Sequence, residues 1–138
     1  MTPAQFLTRV KRNEIPPVCL FLGQEGYNRR LCREALGRIY LNEGVRAAYR
    51  IGEYWDKRVQ IDAVGLRHDN WIDLGECKWG SVPSVPELIA ELEAKVRLYP
   101  NTNNATLGRM IFTRRAVKAA MQRNPVRFFS LEDLYAMG

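Results

Sequence analysis

Cysteine is scarce in this chain, and Cys19, Cys32 and Cys77 form no Cys-X-X-Cys pair and leave an odd count. That excludes a disulfide framework and a zinc ribbon, and fits a protein kept in a reducing cytoplasm. Histidine is scarcer still. His68 is the single one, so no histidine cluster for a metal or an acid–base relay is available. The longest apolar run, Ile15 to Leu22, is broken by Pro16 and Pro17 and falls far short of the roughly 20 residues a membrane-spanning helix requires. The opening residues lack the basic region, apolar stretch and small-residue cleavage site of a secretory signal. Internal repeats and low-complexity tracts are absent as well. What is present is 138 residues, enough for one domain with a single core, carrying 21 Lys and Arg against 15 Asp and Glu. The resulting net charge of +6 suits a polyanionic partner, although basicity also serves solubility.

The most informative stretch is Gln60-Ile61-Asp62-Ala63-Val64, a polar turn, and Ile72-Asp73-Leu74-Gly75-Glu76-Cys77-Lys78-Trp79. Both arms are apolar or alternating and rich in β-branched residues, while His68-Asp69-Asn70 between them carries turn chemistry. A three-residue hairpin loop with Asn70 in the left-handed region sets Arg67 opposite Trp71, Leu66 opposite Ile72, Val64 opposite Leu74 and Asp62 opposite Glu76. Side chains alternate along a strand, so Asp62, Val64 and Leu66 share a face with Ile72, Leu74, Glu76 and Lys78. Two carboxylates directly opposed repel unless a cation compensates them. Mg²⁺, or Mn²⁺ in its place, is the natural compensator, held by Asp62, Glu76 and the backbone carbonyl of Cys77. Lys78 then orients or deprotonates a water, or neutralises charge developing in a transition state. The Cys77 thiol points to the other face as a small packing residue, and His68 lies too far along the hairpin to take part.

An Asp on one strand followed by Gly75-Glu76-Cys77-Lys78-Trp79 on the next resembles the PD-(D/E)XK signature of restriction-endonuclease-like nucleases. Arg50-Ile-Gly-Glu-Tyr-Trp-Asp-Lys57, taken with Gln60–Val64 and Leu74–Trp79, is similar to the nuclease-like C-terminal domain of archaeal and bacterial STAND-type ATPases. This resemblance covers about residues 30 to 115. It implies an α/β fold, a restriction-endonuclease-like three-layer core with a mixed central β-sheet flanked by helices. It also implies metal-dependent hydrolysis of DNA by Asp62, Glu76 and Lys78, with homodimers a common arrangement. Ile61 stands where the signature has its proline. Related nucleases place an accessory carboxylate on the preceding helix, a position that Glu34 matches, with Glu43 the competitor. Lys95 matches a basic or amide position used beside the active site; an ordinary surface lysine is the other reading. A catalytically inactive nucleic-acid-binding or oligomerisation module of the same fold is the alternative function.

The rest of the chain is read by periodicity. Ala4–Arg12 patterns as a short helix after Thr2-Pro3, and Val18–Leu22 as a strand leading to a turn at Gly23–Gly26. The stretch from Phe6 to Arg30 resembles the start of the DNA polymerase III delta subunit, which makes residues 1–27 an extension upon a core of 28–138. Gly23–Gly26 lacks the Gly-Lys-Ser/Thr of a phosphate loop, so no nucleotide cofactor is expected. Helices are predicted over Asn28–Leu41, Glu87–Leu98, Arg114–Arg123 and Leu131–Ala136, and further strands over Ala47–Trp55, Thr106–Thr113 and Val126–Phe129. Arg114, Arg115 and Lys118 fall within one turn as a phosphate-contact patch, which simple surface solvation also explains.

Overall fold

A computed structural model describes residues 17–80, 84–117 and 126–136. The expected helix over Ala4–Arg12 and the side chain of Lys118 lie outside these residues. The first element among the described residues is a long helix, α1 (Pro17–Asn42). It corrects the expected strand over Val18–Leu22 and the turn at Gly23–Gly26, and it runs without a break across residues 27 and 28. Five consecutive apolar residues do not distinguish a strand from a helix by period, and Pro17 stands at a first helical position where its fixed φ is preorganised.

Further along α1, Leu31, Cys32, Ala35, Leu36, Ile39 and Tyr40 form the buried stripe, spaced as one helix face requires. The helix stops on a Schellman motif. Gly44 takes φ +67°, its N–H donates to Leu41 O at 3.3 Å, and the Val45 N–H donates to Tyr40 O at 3.0 Å.

Three antiparallel strands follow, β1 (Tyr49–Trp55), β2 (Gln60–Arg67) and β3 (Trp71–Lys78). The β2–β3 hairpin has the expected register, with Arg67 opposite Trp71, Leu66 opposite Ile72 and Val64 opposite Leu74. Asn70 at φ 60° makes the turn. Helix α2 (Val85–Leu98) is capped by Ser84, whose hydroxyl accepts from the Glu87 N–H at 3.2 Å. It carries the chain across to β4 (Thr106–Thr113), which pairs parallel with β3. β5 (Val126–Ser130) pairs parallel with β4, and a short α3 (Leu131–Ala136) closes the order. Arg114 to Val117, expected as the start of a helix, are non-helical. No helix among the described residues is long and apolar enough to cross a membrane.

The sheet order β1-β2-β3-β4-β5 thus joins an antiparallel meander to two parallel strands. It is a mixed α/β sheet between helices, and its order of helix, three-stranded meander, crossover helix and parallel strands is consistent with the expected restriction-endonuclease-like core. Each face has its own core. On the α1 side, the helix stripe packs with Ala63, Met110, Phe112, Phe129 and Leu134. On the α2 side, Leu88, Leu92 and Val96 pack on Ile61, Val64, Leu74, Ile111 and Phe128.

One carboxylate is sealed within the α1-side layer. Asp73 is 3% exposed, accepts from Tyr40 Oη, and accepts from Trp71 Nε1 at 2.8 Å. Two glycines make room for this pair. A Cβ at Gly65 would come within 2.1 Å of Tyr40 Oη, and one at Gly108 within 2.1 Å of Asp73 Oδ1.

Candidate active site

The open end of the β2–β3 hairpin carries the charged residues, and its geometry begins with an irregularity. Gly52 pairs with Val64 but Tyr54 pairs with Ile61, so Asp62 and Ala63 of β2 oppose the single residue Glu53. This is a β-bulge, a device that re-aims a side chain and is frequent beside active sites. It lets Ile61 and Val64 both face α2, which strict alternation along β2 would not allow. Asp62 is turned toward β3, where its Oδ2 accepts from the Cys77 backbone N–H at 3.0 Å. Backbone pairing between β2 and β3 runs from Arg67–Trp71 to Ala63–Gly75, so the Asp62 side chain continues the ladder where backbone leaves off. N–H and C=O of one strand residue face the same edge, which turns the Cys77 carbonyl toward Asp62 as well.

Glu76 and Lys78 are two residues apart on β3 and both reach α2. Glu76 is 6% exposed, and its Oε1 accepts from Lys95 Nζ at 2.9 Å. Lys78 Nζ lies 3.3 Å from Glu91 Oε2. Since Glu91 and Lys95 are one helical turn apart, α2 and β3 are tied by two crossed ion pairs. Burial pushes the Glu76 carboxyl up to about 7, the nearby charge of Asp62 adds to the rise, and Lys95 opposes it. A buried acid poised near neutrality beside a second carboxylate is a pattern found at functional sites.

The other expected residues separate into groups. Lys95 joins the carboxylate pair directly. Glu34 pairs instead with Arg30 on its own helix at 3.5 Å, and with Arg30, Arg33 and Ile51 it lines an open surface depression. It belongs to the α1 side, whereas Glu76 turns to α2. Glu43, its competitor, pairs with Arg127 of β5. Arg114 and Arg115 are exposed and directly follow Thr113, which lies beside Lys78 in the β3–β4 register. They therefore sit at the same end of the sheet as the charged cluster. The Cys77 thiol faces α1 as expected, 3.3 Å from the Asn28 carbonyl, which also accepts from Trp79 Nε1 at 3.2 Å.

Glu91 was not singled out by sequence. Its spacing four residues before Lys95 suggests an ordinary pair along the helix surface, whereas in the fold both side chains reach across to β3. Among the described residues no group of three or more His, Cys, Asp and Glu side chains is placed to hold a metal. Asp62 and Glu76 instead form a two-carboxylate pair of hard oxygen donors. Such a pair fits Mg²⁺ or Mn²⁺, which complete their shells from main-chain carbonyl, water and phosphate.

Comparison with solved structures finds a repair endonuclease from Pyrococcus abyssi, 13% identical, with a TM-score of 0.47 over 71% of this chain and 45% of that one. The chain thus spans less than half the length of that protein. No curated protein matches the chain. A family model matches residues 21–93, from within α1 through the whole hairpin to most of α2. This match includes Asp62, Glu76, Lys78 and Glu91 and covers more than half of the sequence, and by it the chain belongs to the DUF234 family, archaeal and bacterial proteins of unknown function.

Proposed function

We propose that the chain is a metal-dependent nuclease that hydrolyses DNA phosphodiester bonds at Asp62, Glu76 and Lys78. The observation that carries this reading is the buried Glu76, raised to about 7 beside Asp62, with Lys78 two residues on at the same sheet end. The resemblance of this hairpin to PD-(D/E)XK nucleases, and to the nuclease-like domains of STAND-type ATPases, supports it. Asp62 Oδ1, Glu76 and the Cys77 carbonyl would hold Mg²⁺ or Mn²⁺. When bound, the ion supplies Lewis-acid polarisation of a phosphoryl oxygen and a more acidic water. Lys78 orients the attacking water or stabilises negative charge developing on the phosphoryl oxygens. Arg114 and Arg115, with Lys118 as a third cation, contact the DNA backbone, and Lys95 acts beside the carboxylates. A homodimer acting in the cytoplasm would allow both strands to be cut.

Asp62→Ala and Lys78→Ala, each folded by circular dichroism, should lose at least about 10²-fold in cleavage of plasmid and oligonucleotide DNA with Mg²⁺ or Mn²⁺. Cleavage by both variants at the parent rate would overturn the assignment. A second reading, a catalytically inactive nucleic-acid-binding module, is favoured by one feature: Lys78 is already engaged by Glu91 at 3.3 Å. Metal-independent DNA binding with a steep salt dependence, and no cleavage, would select it.

A further inference from the structure

The two ion pairs between β3 and α2 have a property that neither has alone. Glu76 and Lys78 follow each other on one face of β3, Glu91 and Lys95 follow each other on one face of α2, and each acid is matched to the opposite element's base. Lys95 has a second acid within reach on its own helix. Glu91 lies four residues before Lys95, the spacing and order in which a helical Glu–Lys pair is favourable.

We propose that Glu91 and Lys95 form an exchangeable latch over the carboxylate pair, a reading that rests on the metal-site assignment above. In the latched arrangement Lys95 is the counter-cation of Glu76 and Glu91 holds Lys78. A divalent cation arriving at Asp62 and Glu76 carries twice the charge of the ammonium and repels it from Glu76. Lys95, with its side chain one-third exposed, has a solvent-side path that the 7%-exposed Glu76 side chain lacks. It swings to Glu91, and Glu91 gives up Lys78. The lysine that serves the reaction is thereby freed only when the metal is in place. Glu91 and Lys95 are positioning residues: they act through Lys78 and Glu76.

The test uses Mn²⁺ alone, without DNA, in calorimetric titrations of the full chain, Asp62→Ala, Lys95→Met and Lys95→Gln. Acetylation of Lys78 by acetic anhydride is measured alongside by mass spectrometry. The latch requires that Asp62→Ala lose Mn²⁺ binding and that both Lys95 variants bind several-fold tighter than the parent, because no ammonium has to be displaced. A lysine with a merely structural role would weaken binding on removal. Lys78 acetylation in the parent should rise when Mn²⁺ saturates, and in Glu91→Gln it should be high with or without Mn²⁺. If Asp62→Ala loses binding but neither folded Lys95 variant gains affinity, the latch is overturned and the metal site stands. Tighter binding with Lys78 acetylation unmoved by Mn²⁺ overturns the exchange. If Asp62→Ala binds as the parent does, or if none of the proteins binds Mn²⁺, the metal-site reading fails and the latch fails with it.

Discussion

Asp73 and Glu76 are three residues apart on β3, both almost fully buried, and they occupy opposite faces of the same strand. Asp73 is surrounded by donors: Tyr40 Oη and Trp71 Nε1 point at it, and Gly65 and Gly108 leave the space that the pair needs. Its burial is compensated by hydrogen bonds, so it behaves as a core residue. Glu76 faces another carboxylate, is held by the single ammonium of the part-exposed Lys95, and is pushed up to about 7. Burial of a carboxylate therefore does not mark a site by itself. What separates the two is whether the surroundings satisfy the charge or leave it under-compensated.

The comparison is broken most forcefully by removing the satisfied member. Asp73→Ala leaves the buried Tyr40 hydroxyl and the indole N–H of the part-exposed Trp71 without their acceptor and opens a small void, and should cost about 3 kcal/mol of stability in urea unfolding. Metal binding at Asp62 and Glu76 should be unchanged by it. A loss of stability of comparable size, driven by pH instead of mutation, is expected on the other face. Between the ordinary 4.5 and about 7, folded Glu76 holds a proton that the unfolded chain has released. Stability in the absence of metal should accordingly fall as pH rises through that window, by about 3 kcal/mol in total well above pH 7. Glu76→Gln should remove this slope in melts taken between pH 5 and 8. Smallest is the effect of the exposed cations at the same sheet end. Arg114→Ala with Arg115→Ala should weaken DNA binding a few-fold and lower the log–log salt slope by roughly 1–2, with stability unaltered. An unchanged salt slope would show that the pair is ordinary surface charge.

The hairpin was legible because its information is local. Period-2 alternation, Asn70 at the turn and the matched arm lengths set a register that the β2–β3 pairing follows residue by residue down to Ala63–Gly75. The body of α2 was equally local, since its apolar period was read from Glu87 to Leu98, although the helix begins two residues earlier, at Val85 behind the Ser84 cap. Val18–Leu22 failed for a physical reason: a short apolar run carries no period, and the helix it joins is defined by the stripe that begins a full turn or more later. The bulge at Asp62 and Ala63 was also invisible. It depends on how β1 pairs beyond Gly52, at Tyr54 and Trp55, not on anything within β2.

For the site, the division follows range of interaction. The identity and spacing of Asp62, Glu76 and Lys78 are properties of two strands joined by a tight turn, and such a unit has almost no freedom in how it brings its residues together. That much the sequence by itself determined, along with the α/β class, since hydrophobic period and turn chemistry act within about ten residues. The tertiary structure alone decided that Asp73 is sealed by Tyr40, thirty-three residues away, and that Glu76 meets Lys95 rather than solvent. Those outcomes depend on which helix covers which face of the sheet. No local preference encodes that choice, because it is set by the burial of whole apolar stripes on α1 and α2.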